Sequence, residues 1–371
     1  MIFRFRRNWI QNHLSVPTGL ETEYHSTTAG GPGTINDIFY SEIKNMRQII
    51  LEAPGRFVER ETSRSVANAG QALVKIERIG VCGSDFHAFA GRHPIYTYPR
   101  VIGHELSGVV MQVGVNNRGI QPGDRCAIEP YISCGACRAC AKGLNNCCEN
   151  IQVLGIHVDG GMQEYLSVPI SLIHKSEVLT LDQLVLVEML GIGAHAVVRS
   201  GVKNGEQAIV VGAGPIGMAV AQFASALGVR IHLIEKSEWR RAFAEQMGYT
   251  ASPTAEDRQA EVVFDATGNA LAMGASLDYV EPGGSLVYVG LTREPVCIDD
   301  SLFHRKEVTL LASRNSNGQF PEIIELIEEG KIDTTPWITD RLNLSDVPIQ
   351  FESLPTRRTL MKAVVEMNPS A

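Results

Sequence analysis

The chain has 371 residues, 44% of them hydrophobic and 20% charged, with a formal charge of -8; that composition leaves room for two soluble domains, each burying its own core. The acidic balance and the lack of a Lys/Arg stripe speak against a nucleic-acid partner, because phosphate binding needs a basic face. No apolar run approaches the length that crosses a bilayer, so no integral membrane role is expected and a small polar metabolite is the expected ligand.

Residues 1–45 differ from the rest of the chain. Three arginines fall in the first seven positions, no acidic residue precedes Glu21, and Gly30-Gly31-Pro32-Gly33 breaks the chain. The expectation is a disordered extension or a gene start placed too early, with an Arg-rich presequence as the competing reading. From Met46 to about Val187 short apolar strands alternate with Gly, Pro and Asp turns, for example Ala72–Ile76, Gly108–Val113 and the turn Pro122-Gly123-Asp124, so this part is mostly β. Near Glu188 the texture changes. Gln207–Val211 reads as a buried strand, Gly212–Gly217 as a tight turn, and Met218–Leu227 as a helix closed by Gly228. Strands come next at Val229–Ile234, Val262–Ala266, Leu286–Val289 (after a Pro282-Gly283-Gly284 turn) and Val308–Leu311. Strands alternating with helices imply a parallel, doubly wound sheet in an α/β fold. An amphipathic helix, Phe320–Glu329, and a last strand, Ala363–Met367, complete the chain.

Three groups of residues carry chemistry. In Gly212-x-Gly214-Pro215-Ile216-Gly217 the first glycine permits the turn. The second lets the backbone approach a pyrophosphate, and the third lets helix and strand pack closely. Glu235 comes at about the offset of a ribose-binding carboxylate, which favours NAD over NADP, while Lys236, Arg240 and Arg241 close behind weaken that preference. Thr267 is placed in the same cofactor-binding set. The second group is Cys134-x-x-Cys137-x-x-Cys140 with Cys148. Five of the eight cysteines crowd into this stretch, which points to metal in a reducing, cytoplasmic compartment rather than to disulfides. Four thiolates leave a tetrahedral ion no open position, so this zinc site is structural. Cys147 competes with Cys148 as the fourth ligand, whereas Cys126 and Cys297 are expected to be inert. The third group is Cys82, Ser84 and His87 with His104 and Glu105; a thiol, an imidazole and a carboxylate are zinc-ligand types, although a lone Cys is usually a small hydrophobe. Glu188 adds an acid inside an apolar run, where a charge is costly without a partner such as a metal. His195 and His157 are expected to pack rather than to ligate.

These features in this order resemble the zinc-dependent medium-chain dehydrogenases, the alcohol and polyol dehydrogenase superfamily, over about Met46 to Asn368. The resemblance implies a β-rich GroES-like catalytic domain over 46–187 and 314–371, and a Rossmann NAD-binding domain over 188–313. It implies two zinc ions per chain: a catalytic one held by Cys82, His104 and Glu105 or Glu188, and a structural one held by Cys134, Cys137, Cys140 and, as the better family match, Cys148. Ser84 would take the hydroxyl proton and His87 would relay it. The stretches Val153–Gly161 and Ala312–Asn317 look closest to a branch of polyol and sugar-acid 5-dehydrogenases acting on L-idonate, L-gulonate or L-galactonate. A small polar alcohol is then the substrate, and a homodimer or homotetramer the assembly. The loop Gly91–Tyr96 and Arg314 are candidates to meet that substrate. A threonine or simple alcohol dehydrogenase is the rival within the family, and a non-catalytic nucleotide sensor the rival outside it. The segment between Gly248 and Val262 is shorter than in typical relatives, so an edge helix or strand of the second domain should be reduced.

Overall fold

The computed structural model describes residues 45–367; the expected N-terminal extension lies outside the described residues apart from Asn45. The chain opens with an antiparallel hairpin of β1 (Asn45–Ala53) and β2 (Arg56–Ser63). Then come β3 (Gln71–Val81), the short helix α1 (Gly83–Phe89), β4 (Glu105–Val113) and β5 (Arg125–Ile128). The small pair β6 (Tyr131–Ile132) and β7 (Gln152–Val153) brackets the cysteine-rich stretch, and β8 (Tyr165–Pro169) and β9 (Ile173–Lys175) come after it. Helix α2 (Val187–Ser200) leads into the second domain. There β10 (Gln207–Val211), α3 (Pro215–Ala226), β11 (Arg230–Ile234), β12 (Thr250–Ser252), β13 (Ala260–Asp265), β14 (Val280–Tyr288) and β15 (Thr309–Ala312) build the sheet. Helix α4 (Phe320–Glu328) follows, and the strands β16 (Ile338–Asn343) and β17 (Lys362–Glu366) come last among the described residues.

Two sheets organise these elements. The first runs β16-β17-β3-β4-β5-β9, with β8 also paired to β3. The second is wholly parallel in the order β12-β11-β10-β13-β14-β15, the doubly wound arrangement whose ligands sit outside the carboxyl ends of the strands at the point where strand order reverses. That point lies between β10 and β13. Helix α3 starts at Pro215, three residues before the expected Met218, because proline at the first helical position has its φ already set and no amide to leave unpaired. The Pro282-Gly283-Gly284 turn is instead a bulge inside β14, where the register with β13 slips between Ala260 and Val262.

Helix α4 precedes the chain's return to the first sheet at β16. Its apolar stripe of Phe320, Ile323, Ile324 and Ile327 lies in the same core as Leu190, Val197, Val220 and Phe223 of α2 and α3. Trp337 lies there too and is fully buried. That core is shared: Ala127, Leu179, Met361 and Val364 lie in it too, and the Phe320 ring packs against His174, so the helix sits where the two domains meet. Between β12 and β13 residues 253–259 make the connection without a helix, and β12 itself is three residues long.

Candidate active site and cysteine cluster

Antiparallel pairing of β3 and β4 sets Gly80 opposite Glu105, which brings Cys82, just past the end of β3, beside His104 at the start of β4. Cys82, His104 and Glu105 offer ligand atoms that all lie within 4.8 Å of one another. Asp85, at the third position of α1, accepts a hydrogen bond from the Cys82 amide at 2.9 Å and holds the helix start in place. Its other oxygen lies 3.7 Å from His104 Nδ1, an enclosed nitrogen with no hydrogen-bond partner. Ser84 Oγ is 3.4 Å from His104 Nε2, and His87 stands one turn further along α1, closer to solvent.

Glu188 reaches the site from the first turn of α2, with the Tyr131 hydroxyl donating to Oε1. It lies outside the 4.8 Å triad, but its charge acts on His104. Burial pushes the Glu188 carboxyl up to about 7 against the pull of His104. Burial lowers the His104 imidazole, yet Asp85 and Cys82 carry it well above its ordinary range. Glu105 is fully buried, and both its oxygens are held by Lys362 Nζ of β17 at 2.7 and 2.8 Å. Carboxyl groups, a thiol and an imidazole with an unbonded nitrogen converge here beside the Lys362 ammonium, and these are zinc-ligand types, so the donor set fits zinc.

The second cluster closes on itself. Cys134, Cys137, Cys140 and Cys148 place their sulfurs within 4.8 Å of one another, and Cys147 points elsewhere, exposed. The Cys134 amide donates to Cys148 Sγ at 3.2 Å. Backbone amides at Ala136 and Cys137 draw the Cys134 thiol down to about 6, while burial and the neighbouring sulfurs push Cys140 up to about 12. Four sulfurs this close resist full ionisation unless a cation joins them, and a structural zinc fits. The lobe is tied to the rest by Asn146, whose Nδ2 donates to Arg314 O at 2.8 Å and lies 3.1 Å from His195 Nε2. His157 Nδ1 accepts from the Val153 amide; both histidines lie outside the metal-ligand groups.

At the carboxyl ends of β10 and β11 the glycine turn takes the form its chemistry needs. Gly212 has a left-handed φ of 95°, and a Cβ on Gly217 would fall 1.8 Å from Gly212 O. Glu235 accepts from the amides of Ala213 and Ser237, each at 2.8 Å. Thr267 sits across the turn, bonded to Asp265, with its methyl 3.2 Å from where a Gly212 Cβ would lie. Arg241 is occupied by the Glu235 and Lys236 carbonyls.

Four side chains in this arrangement escaped the sequence reading: Asp85, Tyr131, Asn146 and Lys362. Lys362 had a signal, a lysine inside the apolar run Leu360–Val365, of the same kind that exposed Glu188. Tyr131 had none.

Family models match at residues 68–178, an alcohol dehydrogenase GroES-like domain, and at 215–329, a zinc-binding dehydrogenase. L-galactonate-5-dehydrogenase of Escherichia coli is 36% identical over 87% of this chain and 99% of its own length. A 2-dehydro-3-deoxy-L-galactonate 5-dehydrogenase of Pseudoalteromonas atlantica is 33% identical over 81% and 92%. Among solved structures, an E. coli alcohol dehydrogenase complexed with NADH superposes with a TM-score of 0.81 at 28% identity, covering 87% of this chain and all of that one. A Sinorhizobium meliloti protein bound to NADP gives 0.81 at 30%, covering 87% and 99%. The chain belongs to the zinc-binding dehydrogenases that carry an alcohol dehydrogenase GroES-like domain.

Proposed function

We propose that the protein reversibly oxidises a secondary alcohol of a polyol or sugar acid and passes the hydride to NAD. The observation that carries this is the meeting of Cys82, His104 and Glu105, with Glu188 beside them, as one set of zinc-ligand types. Zinc held by Cys82, His104 and either Glu105 or Glu188 would supply a Lewis acid that lowers the pKa of an alcohol. Ser84 takes the hydroxyl proton. His87 passes it outward, its imidazole kept below the ordinary value by partial burial and by Arg92 and Arg293, hence neutral and able to accept. Cys134, Cys137, Cys140 and Cys148 hold a second, structural zinc. The two relatives named as 5-dehydrogenases support an aldonate-like substrate. The same reading carries a homodimeric or homotetrameric assembly in the cytoplasm.

A panel of aldonates and polyols with NAD, followed by NADH absorbance, tests this reading. L-Galactonate or a close aldonate is expected to exceed ethanol and threonine in kcat/KM by about tenfold or more. A preference for either simple substrate, or no NAD reduction at all, counts against it. The cofactor assignment has its own test. Glu235, seated on the glycine turn, is placed to accept from a ribose hydroxyl and to repel a 2′-phosphate. Glu235→Ala is expected to raise NADP use relative to NAD by about tenfold; a wild type already faster with NADP refutes the assignment.

A further inference from the structure

The loop after α1 carries two side chains that the chemistry above leaves idle. It is pinned at both ends. The Arg92 and Gly91 amides donate to His87 O and Ala88 O, the Tyr98 hydroxyl donates to Ala88 O, and Arg100 pairs with Leu51 through both backbone groups. Between these anchors the rings of His93 and Tyr96 meet edge to face with centroids 5.9 Å apart. His93 Nδ1 and the Tyr96 hydroxyl are enclosed, yet neither has a hydrogen-bond partner. Native proteins rarely leave such groups unbonded, and where they do, an absent ligand or water is the usual partner.

Position says which ligand. The charges of His104, His87 and His157 act on His93, and that of Asp85 acts on Tyr96, so the pair borders the metal-binding wall. Burial pushes the Tyr96 phenol up, which keeps it a hydrogen-bond donor, and lowers His93, which leaves it neutral with one donor and one acceptor nitrogen. Such a pair suits hydroxyl groups. From the other domain, Arg293 lies just beyond β14, on the side of the parallel sheet where ligands bind. Its charge acts on both His87 and His93. Asp159, an acid whose charge also acts on Tyr96, is held by Arg100 at 3.2 Å.

We propose that His93 and Tyr96 recognise the hydroxyls next to the reacting carbon, and that Arg293 binds a carboxylate at the far end of the substrate. The pocket then selects polyhydroxylated acids over neutral polyols, and polyols over plain alcohols. This rests on the dehydrogenase reading above.

The test compares L-galactonate, galactitol (the same carbon chain without the carboxylate) and 2-butanol, each with NAD. Arg293→Ala is expected to lower the kcat/KM ratio of L-galactonate to galactitol about tenfold, through KM. Tyr96→Phe, which keeps the ring and its packing, is expected to lower the galactitol to 2-butanol ratio about tenfold, and His93→Leu to act the same way. Unchanged ratios in an active enzyme overturn this inference alone, as does an Arg293→Ala variant whose KM rises for NAD instead of L-galactonate. A wild type inert toward both L-galactonate and galactitol overturns it together with the reading on which it rests.

Discussion

Cys82→Ser is expected to stay folded, to fall from about two zinc ions per chain to about one, and to lose at least about a thousandfold in kcat/KM. The fold should survive because of where Cys82 sits. It is half-buried at the N-cap of α1, and its backbone amide donates to Asp85, a bond that a change of side chain leaves in place. Serine is a favoured residue at that position. The chemistry should not survive, because a neutral hydroxyl is a far poorer zinc ligand than a thiolate, and the remaining donors include Glu105, already committed to Lys362. Zinc analysis, a melting curve and the NAD-linked assay on the same preparation read the three parts of the expectation. Full activity in this variant would end the proposal for the catalytic metal.

Spacing decides which parts of the site are legible in the sequence. Gly212, Gly214 and Gly217 lie within one turn, and Cys134, Cys137 and Cys140 within a single loop, so their chemistry depends on local conformation and can be read directly. Cys82, His104 and Glu105 offer zinc-ligand types, but nothing local joins them, and it is the resemblance that implies they meet. Their actual link is the β3–β4 register that sets Gly80 opposite Glu105. Tyr131 and Glu188, 57 positions apart, and Lys362 and Glu105, 257 apart, meet through sheet and domain packing. Such partners leave no periodic trace. Helix α4 makes the same point at the scale of domains. Its stripe Phe320, Ile323, Ile324, Ile327 is plain, but a stripe says only that a core lies on one side, not that the core takes residues from both domains.

Lys362 shows what a missed partner can carry. It lies in β17 beside β3, and β3 lies beside β4, so the Lys362–Glu105 pair bridges three adjacent strands at the centre of the first sheet. Gly80 in the middle strand makes the room, since a Cβ there would fall 2.1 Å from Glu105 Oε2. With 3% and 0% exposure the two side chains are dry, and burial alone would lower the lysine, yet Glu105 raises it above its ordinary value. Lys362→Met is expected to cost about 3–5 kcal/mol of folding stability, because it strands a buried carboxylate, although methionine fills much the same volume. The double variant Lys362→Met/Glu105→Gln should recover much of that loss, since the cost belongs to the unpaired charge and the two sites are in contact. Urea unfolding of the wild type and both variants, with zinc content matched, measures the effect. A single variant as stable as the wild type would mean that the lysine is not what offsets the burial of Glu105 in the sheet.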